Sequence, residues 1–129
     1  MTVVELKTNK DNRGSLTVIE GGQDIPFDIK RCYIIHHLEA ARGGHAHPHT
    51  RQIVIAVHGS IRMELSDGVM RKSFDLNSPT QGLLINPMTW IEIVEFSQDA
   101  VVSVLASTHY DHKLTIRDWD QFTVLKNQM

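Results

Sequence analysis

The chain has 129 residues, 41% of them apolar and 22% charged, with a formal net charge of −2. Such a length predicts one domain, residues 1–129, with room for a substantial core, and the composition is that of an ordinary globular protein. A balance this near neutral gives no electrostatic case for nucleic acid or an anionic membrane as partner.

The opening MTVVELKTNKDNRG lacks an apolar run of signal-peptide length, and no segment approaches a membrane span. A lone cysteine, Cys32, leaves no intrachain disulfide and points to a reducing, cytoplasmic setting. Beside Tyr33, Ile34 and Ile35, Cys32 reads as a buried structural thiol.

Helical periodicity is scarce, and short β-rich runs recur instead, at 3–6, 16–20, 32–38, 53–57, 61–65, 69–74, 82–86, 90–96 and 101–106. Turn formers separate them, among them Asn12-Arg13-Gly14, Gly43-Gly44, His58-Gly59-Ser60 and Asn86-Pro87. Strands of this length and spacing predict an all-β sandwich or barrel. Asp67-Gly68 predicts a type I′ hairpin turn between two of them, with positive φ at both central positions. One helix is expected at the end. Asp118 offers an N-cap with Gln121 three residues on, so a helix should run from Trp119 to about Lys126 and pack Trp119 and Phe122 against the sheet.

Eight histidines are many for this length, and most of them lie between His36 and His58, around the stretch RGGHAHPHTRQIVIAVHG, residues 42–59. In an extended chain residues i and i+2 share a side, so His45 and His47 would face one cavity. Two imidazoles on one face supply proton-transfer or metal-binding capacity that core packing does not call for. His49 follows Pro48, which breaks the alternation and leaves it on the rim. His58 and His109 read as solvated positions, and of the adjacent His36 and His37 at most one can face the interior.

The spacing from His45 and His47 to Gln52 and Gly59 resembles the first motif of the cupins, with glutamine where metal-binding members carry glutamate. Their second motif would place a histidine near Trp90, and none is there. Two neutral imidazoles without a carboxylate or third histidine make a poor cage for iron, manganese or zinc. The expectation is therefore a site with no metal and no cofactor.

RGGHAHPHTRQ, GSIRMELSDG, GLLINPMTWIEI, FSQDAVVSVLAS and the tail YDHKLTIRDWDQF together resemble the sugar 3,4-ketoisomerase family of cupins, over residues 14–122. The upstream element PFDIKRCY belongs to the same resemblance. It implies an all-β, single-domain cupin, a jelly-roll β-barrel with a short C-terminal helix. It also implies a homodimer, and an enzyme that moves the keto group of dTDP-4-keto-6-deoxyglucose from C4 to C3 for 3-amino-3,6-dideoxyhexoses of surface polysaccharide such as lipopolysaccharide O-antigen. Carried over residue by residue, the catalytic pair falls on His45 and His47, the active-site tyrosine on Tyr33 and the preceding arginine on Arg42. Pro48 stands where members often have lysine, and residues 114–115 lack an aspartate-tyrosine pair.

That reaction needs a base for the C3 proton and a donor for the enediol oxygens, and histidine titrates in the right range. His47 is expected as the base, with His45 and Tyr33 handling oxygens and the returning proton. Arg42 and Arg51 are candidates for the diphosphate. Gln52 would orient a histidine or hydroxyl. Trp90 either stacks on sugar or thymine or is a packing aromatic, and Glu92, on the same side, could touch a sugar hydroxyl. Two other readings remain: a metal-dependent cupin enzyme using His45, His47 and another histidine such as His58 or His109, and a non-catalytic nucleotide-sugar-binding cupin.

Overall fold

The computed structural model describes residues 1–129. Eleven strands, a 3-10 turn (His112–Leu114) and one α-helix follow: β1 (Thr2–Glu5), β2 (Lys7–Asp11), β3 (Gly14–Val18), β4 (Arg31–Ile35), β5 (Arg42–Ala46), β6 (Gln52–His58), β7 (Ile61–Ser66), β8 (Arg71–Leu76), β9 (Gln81–Ile85), β10 (Trp90–Phe96), β11 (Val101–Ala106) and α1 (Trp119–Asn127). A five-stranded antiparallel sheet, in the order β1-β9-β6-β11-β4, faces a four-stranded one in the order β5-β10-β7-β8. The sheets lie face to face as a jelly-roll-like sandwich and do not close into a ring. The β2–β3 hairpin forms a separate two-stranded sheet.

Alternation along the strands fills the space between the sheets. Val54 and Ala56 of β6, Leu83 and Ile85 of β9, and Val102 and Val104 of β11 meet Ile61, Met63 and Leu65 of β7 and Ile91 and Ile93 of β10. The outer faces are covered too. Leu6, Ile25 and Phe27 lie over Ile53 and Ile55, so β6 is buried on both sides and reads as a continuous apolar run. On the opposite layer, Phe122 of α1 is fully buried among Ala46, Met88, Trp90 and Ile116, with Trp119 against them. The Asp118 carboxylate accepts from the Gln121 backbone N–H at 3.3 Å, the N-cap that the sequence announces.

Two local expectations fail. Asp67-Gly68 is not a type I′ turn. Only Gly68 has positive φ, and the link is a four-residue loop from Asp67 to Met70, because the Asp67 carboxylate accepts from the N–H groups of Val69 and Met70. β8 accordingly starts at Arg71, and Val69 is exposed. Cys32 is not buried either. In β4 Tyr33 and Ile35 point inward, and Cys32 and Ile34 point out, where the Cys32 thiol lies 3.5 Å from the Ser103 hydroxyl.

Candidate active site

The edge strands β4 and β5 flank one end of the sandwich, and there a cavity of about 410 Å³ enters the space between the sheets. Apolar residues such as Val54, Met63 and Ile93 line it together with polar groups on the neighbouring strands. No aspartate or glutamate lines it.

The two glycines before the histidines set the geometry. His45 pairs with Ile91 and Gly43 with Glu92, so Gly44 is an extra residue and β5 bulges against β10. Gly44 sits in the left-handed region at φ 72, and a Cβ on Gly43 would lie 2.5 Å from the Ile91 carbonyl oxygen. Beyond the bulge, Ala46 turns toward α1, and His45 and His47 turn into the cavity. Their rings lie edge to face, with centroids 4.9 Å apart. Backbone hydrogen bonds between Ala46 and Ile116 hold the strand from outside, and the Met88 N–H donates to the His47 carbonyl at 2.8 Å.

Each polar group carries a defined electrostatic load. Burial, then neighbouring His45, Arg31 and Arg117, hold His47 down at a pKa of about 4. Its Nε2 is buried and has no hydrogen-bond partner. Burial also lowers His45; a hydrogen bond to the Gly43 backbone opposes this, and Arg117 and Arg42 add to it. Burial raises Tyr33 against the pull of Arg31, a Gln52 hydrogen bond and Arg42. The Gln52 side-chain amide donates to the Tyr33 oxygen at 3.1 Å, which leaves the phenolic O–H to donate elsewhere.

Tyr33, Arg42, His45, His47 and Gln52 thus come together as the sequence anticipates. Arg51, Trp90 and Glu92 do not line the cavity. Arg51 lies at the surface, its guanidinium donating to the Pro26 carbonyl at 3.2 Å. Trp90 pairs with Ala46 and therefore shares its outward side, packed on Trp119 and Phe122, with its indole N–H donating to Glu92 at 2.9 Å. Glu92 also faces Arg71, which reaches over the Trp119 ring.

Sequence reasoning missed four polar lining residues: Arg31, Tyr110, Thr115 and Arg117. The Arg31 guanidinium sits 5.3 Å from the ring centroids of both Tyr33 and Tyr110. Its Nε is buried without a partner. Arg31 stands two residues before Tyr33, so period-2 alternation alone could have found it. Together with Arg42 and Arg117 it makes a ring of three guanidinium groups, none paired with a carboxylate. The donor set fits an anion and a proton-transfer step. No group of three or more His, Cys, Asp or Glu side chains comes together as metal ligands would.

A family model described as "FdtA: WxcM-like, C-terminal" matches residues 1–127. The chain belongs to this family. It is similar, at 43% identity over 93% of its length and 88% of the relative's, to the TDP-4-oxo-6-deoxy-alpha-D-glucose-3,4-oxoisomerase of Aneurinibacillus thermoaerophilus. Among solved structures, a 3,4-ketoisomerase from Helicobacter canadensis is 40% identical, with TM-score 0.95 and coverage of 98% of this chain and 96% of the other. The sugar 3,4-ketoisomerase QdtA from Thermoanaerobacterium thermosaccharolyticum, solved in complex with TDP, is 37% identical, with TM-score 0.95 and coverage of 98% and 94%. Members of the FdtA-like family thus share this fold over nearly its whole length.

Proposed function

We propose that this chain is a sugar 3,4-ketoisomerase that converts TDP-4-keto-6-deoxyglucose to its 3-keto isomer, in the making of 3-amino-3,6-dideoxyhexoses for surface polysaccharide. The observation that carries the reading is the buried, unpartnered Nε2 of His47, in a cavity with three guanidinium groups and no carboxylate. The identity to named 3,4-ketoisomerases supports it along nearly the whole chain.

In this mechanism Arg31, Arg42 and Arg117 hold the diphosphate. His47, neutral at cellular pH, removes the C3 proton, and the C3–H electron pair forms a C3–C4 double bond. Negative charge moves to O4, where the Tyr33 O–H or His45 supplies a proton and yields the enediol. The O3 proton then leaves, the C3 carbonyl forms, and a proton reaches C4. No redox partner is needed, since the oxidation of C3 balances the reduction of C4.

The diphosphate has a second effect. Cations at Arg31 and Arg117 help to keep His47 a weak base in the empty site, and an anion between them offsets that influence. Substrate binding therefore strengthens the base that acts on it.

His47→Asn should lower turnover by about 10²- to 10⁴-fold while nucleotide binding persists. NMR of the purified protein with TDP-4-keto-6-deoxyglucose, with and without a chelator, checks this. Near-normal turnover of the variant would remove His47 from the base role, and chelator-sensitive turnover would favour a metal-dependent enzyme.

We also propose a cytoplasmic homodimer. The reading is supported by the lone cysteine and by the β2–β3 hairpin, which hydrogen-bonds to neither main sheet and exposes Leu16. No helix is long and apolar enough to cross a membrane.

A further inference from the structure

The two histidines stand on one wall of the large cavity. His45 is level with Ile91 and Leu65 on the inner face of the four-stranded sheet, and His47 follows on the same side. Their ring centroids are 4.9 Å apart, so both address the same side of whatever the cavity holds. The facing wall belongs to the other sheet. Tyr33 is level with Val104 and Val54 on its inner face, with Arg31 two residues before it. Tyr110 lies against the same guanidinium, and the Gln52 amide donates to the Tyr33 oxygen at 3.1 Å.

The two walls differ in the acids they offer. On the Tyr33 side only the phenols release a proton, since the Gln52 amide and the Arg31 guanidinium keep theirs. At ordinary strength an imidazolium is a stronger acid than a phenol by on the order of a thousandfold. Burial widens that gap here, because it lowers His45 and His47 and raises Tyr33. Proton transfer to carbon follows acid strength, so an imidazolium outruns a phenol as the donor to C4.

Sugar stereochemistry turns this asymmetry into a choice of product. In 4-keto-6-deoxyglucose the C3 hydrogen points to the ring face opposite the C6 methyl, and the base must lie on that face. Loss of the proton flattens C3 and C4 into the enediol, whose two faces then meet the two walls. A proton added to C4 from the face that the C3 hydrogen left sets the C4 hydroxyl axial, the galacto arrangement. Addition from the other face sets it equatorial, the gluco arrangement.

We propose that the histidine wall returns the proton to the face it left, so that this chain makes the galacto-configured TDP-3-keto-6-deoxy sugar. This rests on the ketoisomerase reading and names its product, and it holds whichever of His45 and His47 is the base. The C3–H bond breaks, its electron pair becomes the C3–C4 double bond, and the proton goes to an imidazole. The double-bond pair then takes the imidazolium proton at C4 as O3–H breaks and the C3 carbonyl forms. The O3 proton restores the group that protonated O4, so the protons balance without a co-reactant.

The experiment converts TDP-4-keto-6-deoxyglucose with the intact enzyme and reads the product by proton NMR. Spectra are taken at early turnover, before epimerisation in solution, with an enzyme-free sample as blank. The coupling between the C4 and C5 hydrogens reports the configuration: small for galacto, large for gluco, where the two are diaxial. The galacto product should exceed the gluco product by more than about tenfold, which is a small part of the acidity gap. A smaller excess, or a gluco product in the majority, overturns the same-face return while leaving the isomerase standing. If the enzyme gives no 3-keto product, the ketoisomerase reading itself falls.

Discussion

At the scale of single residues, the candidate site sets two imidazoles and a phenol among three guanidinium groups. His47 at a pKa of about 4 is deprotonated through the neutral range, so in the free enzyme kcat/KM should fall as pH drops through that value. Arg31→Met removes a nearby positive charge. Protonated His47 is then less disfavoured, its pKa rises, and the acid limb of kcat/KM should move to higher pH. A pH–rate profile of the variant checks the sign; a limb that moves down would exclude Arg31 as a source of the depression. KM should rise at the same time, since a diphosphate contact is lost. Tyr33 is the complementary case, with burial favouring the neutral phenol that can donate a proton.

At the scale of elements, the histidines depend on what lies behind them. Ala46 separates the pair in sequence and points the other way, onto the fully buried Phe122 of α1. The turn that grips His47 is held by the same helix: Met88, at φ 57, donates to the His47 carbonyl, and its own carbonyl accepts from the Lys126 ammonium at 3.0 Å. Phe122→Ala should therefore destabilise the protein by about 3–5 kcal/mol, measured by denaturant unfolding. It should also lower kcat below the melting range, because the hole opens directly under the strand that carries His45. An unfolding midpoint within error of wild type would show that α1 is not part of the cooperative unit.

The same elements show what sequence reasoning could reach. His45 and His47 were legible because a period of two is a local property, and the helix because its cap is local. Trp90 and Glu92 do share a side, as alternation predicts, but it is the side facing away from the cavity. Trp90, Ile91 and Ile93 are all buried, so alternation cannot tell which face of β10 meets the cavity and which meets α1. Arg117 enters the site through the pairing of Ile116 with Ala46, seventy residues earlier in the chain, and no local pattern records that contact. Asp67-Gly68 marked the place of a turn, but the aspartate's reach to two backbone N–H groups decided its type.

At the scale of the whole molecule, the proposed dimer turns on the β2–β3 hairpin. An isolated two-stranded hairpin is marginal in water, and this one is largely exposed, with Leu16 59% accessible. Light scattering in solution should give the mass of two chains, and Leu16→Asp should shift the population toward one. A wild-type mass of one chain would remove the dimer from the proposal.

β6 lies in the middle of the five-stranded sheet and is covered on both faces, and Gln52, at its start, aims Tyr33. Amides so enclosed exchange with solvent hydrogen only when the entire structure opens. One anchor of the active centre is thus as durable as the fold. The Gln52 end of its bond to Tyr33 should therefore hold until the fold opens, and slow hydrogen exchange of the β6 amides checks this.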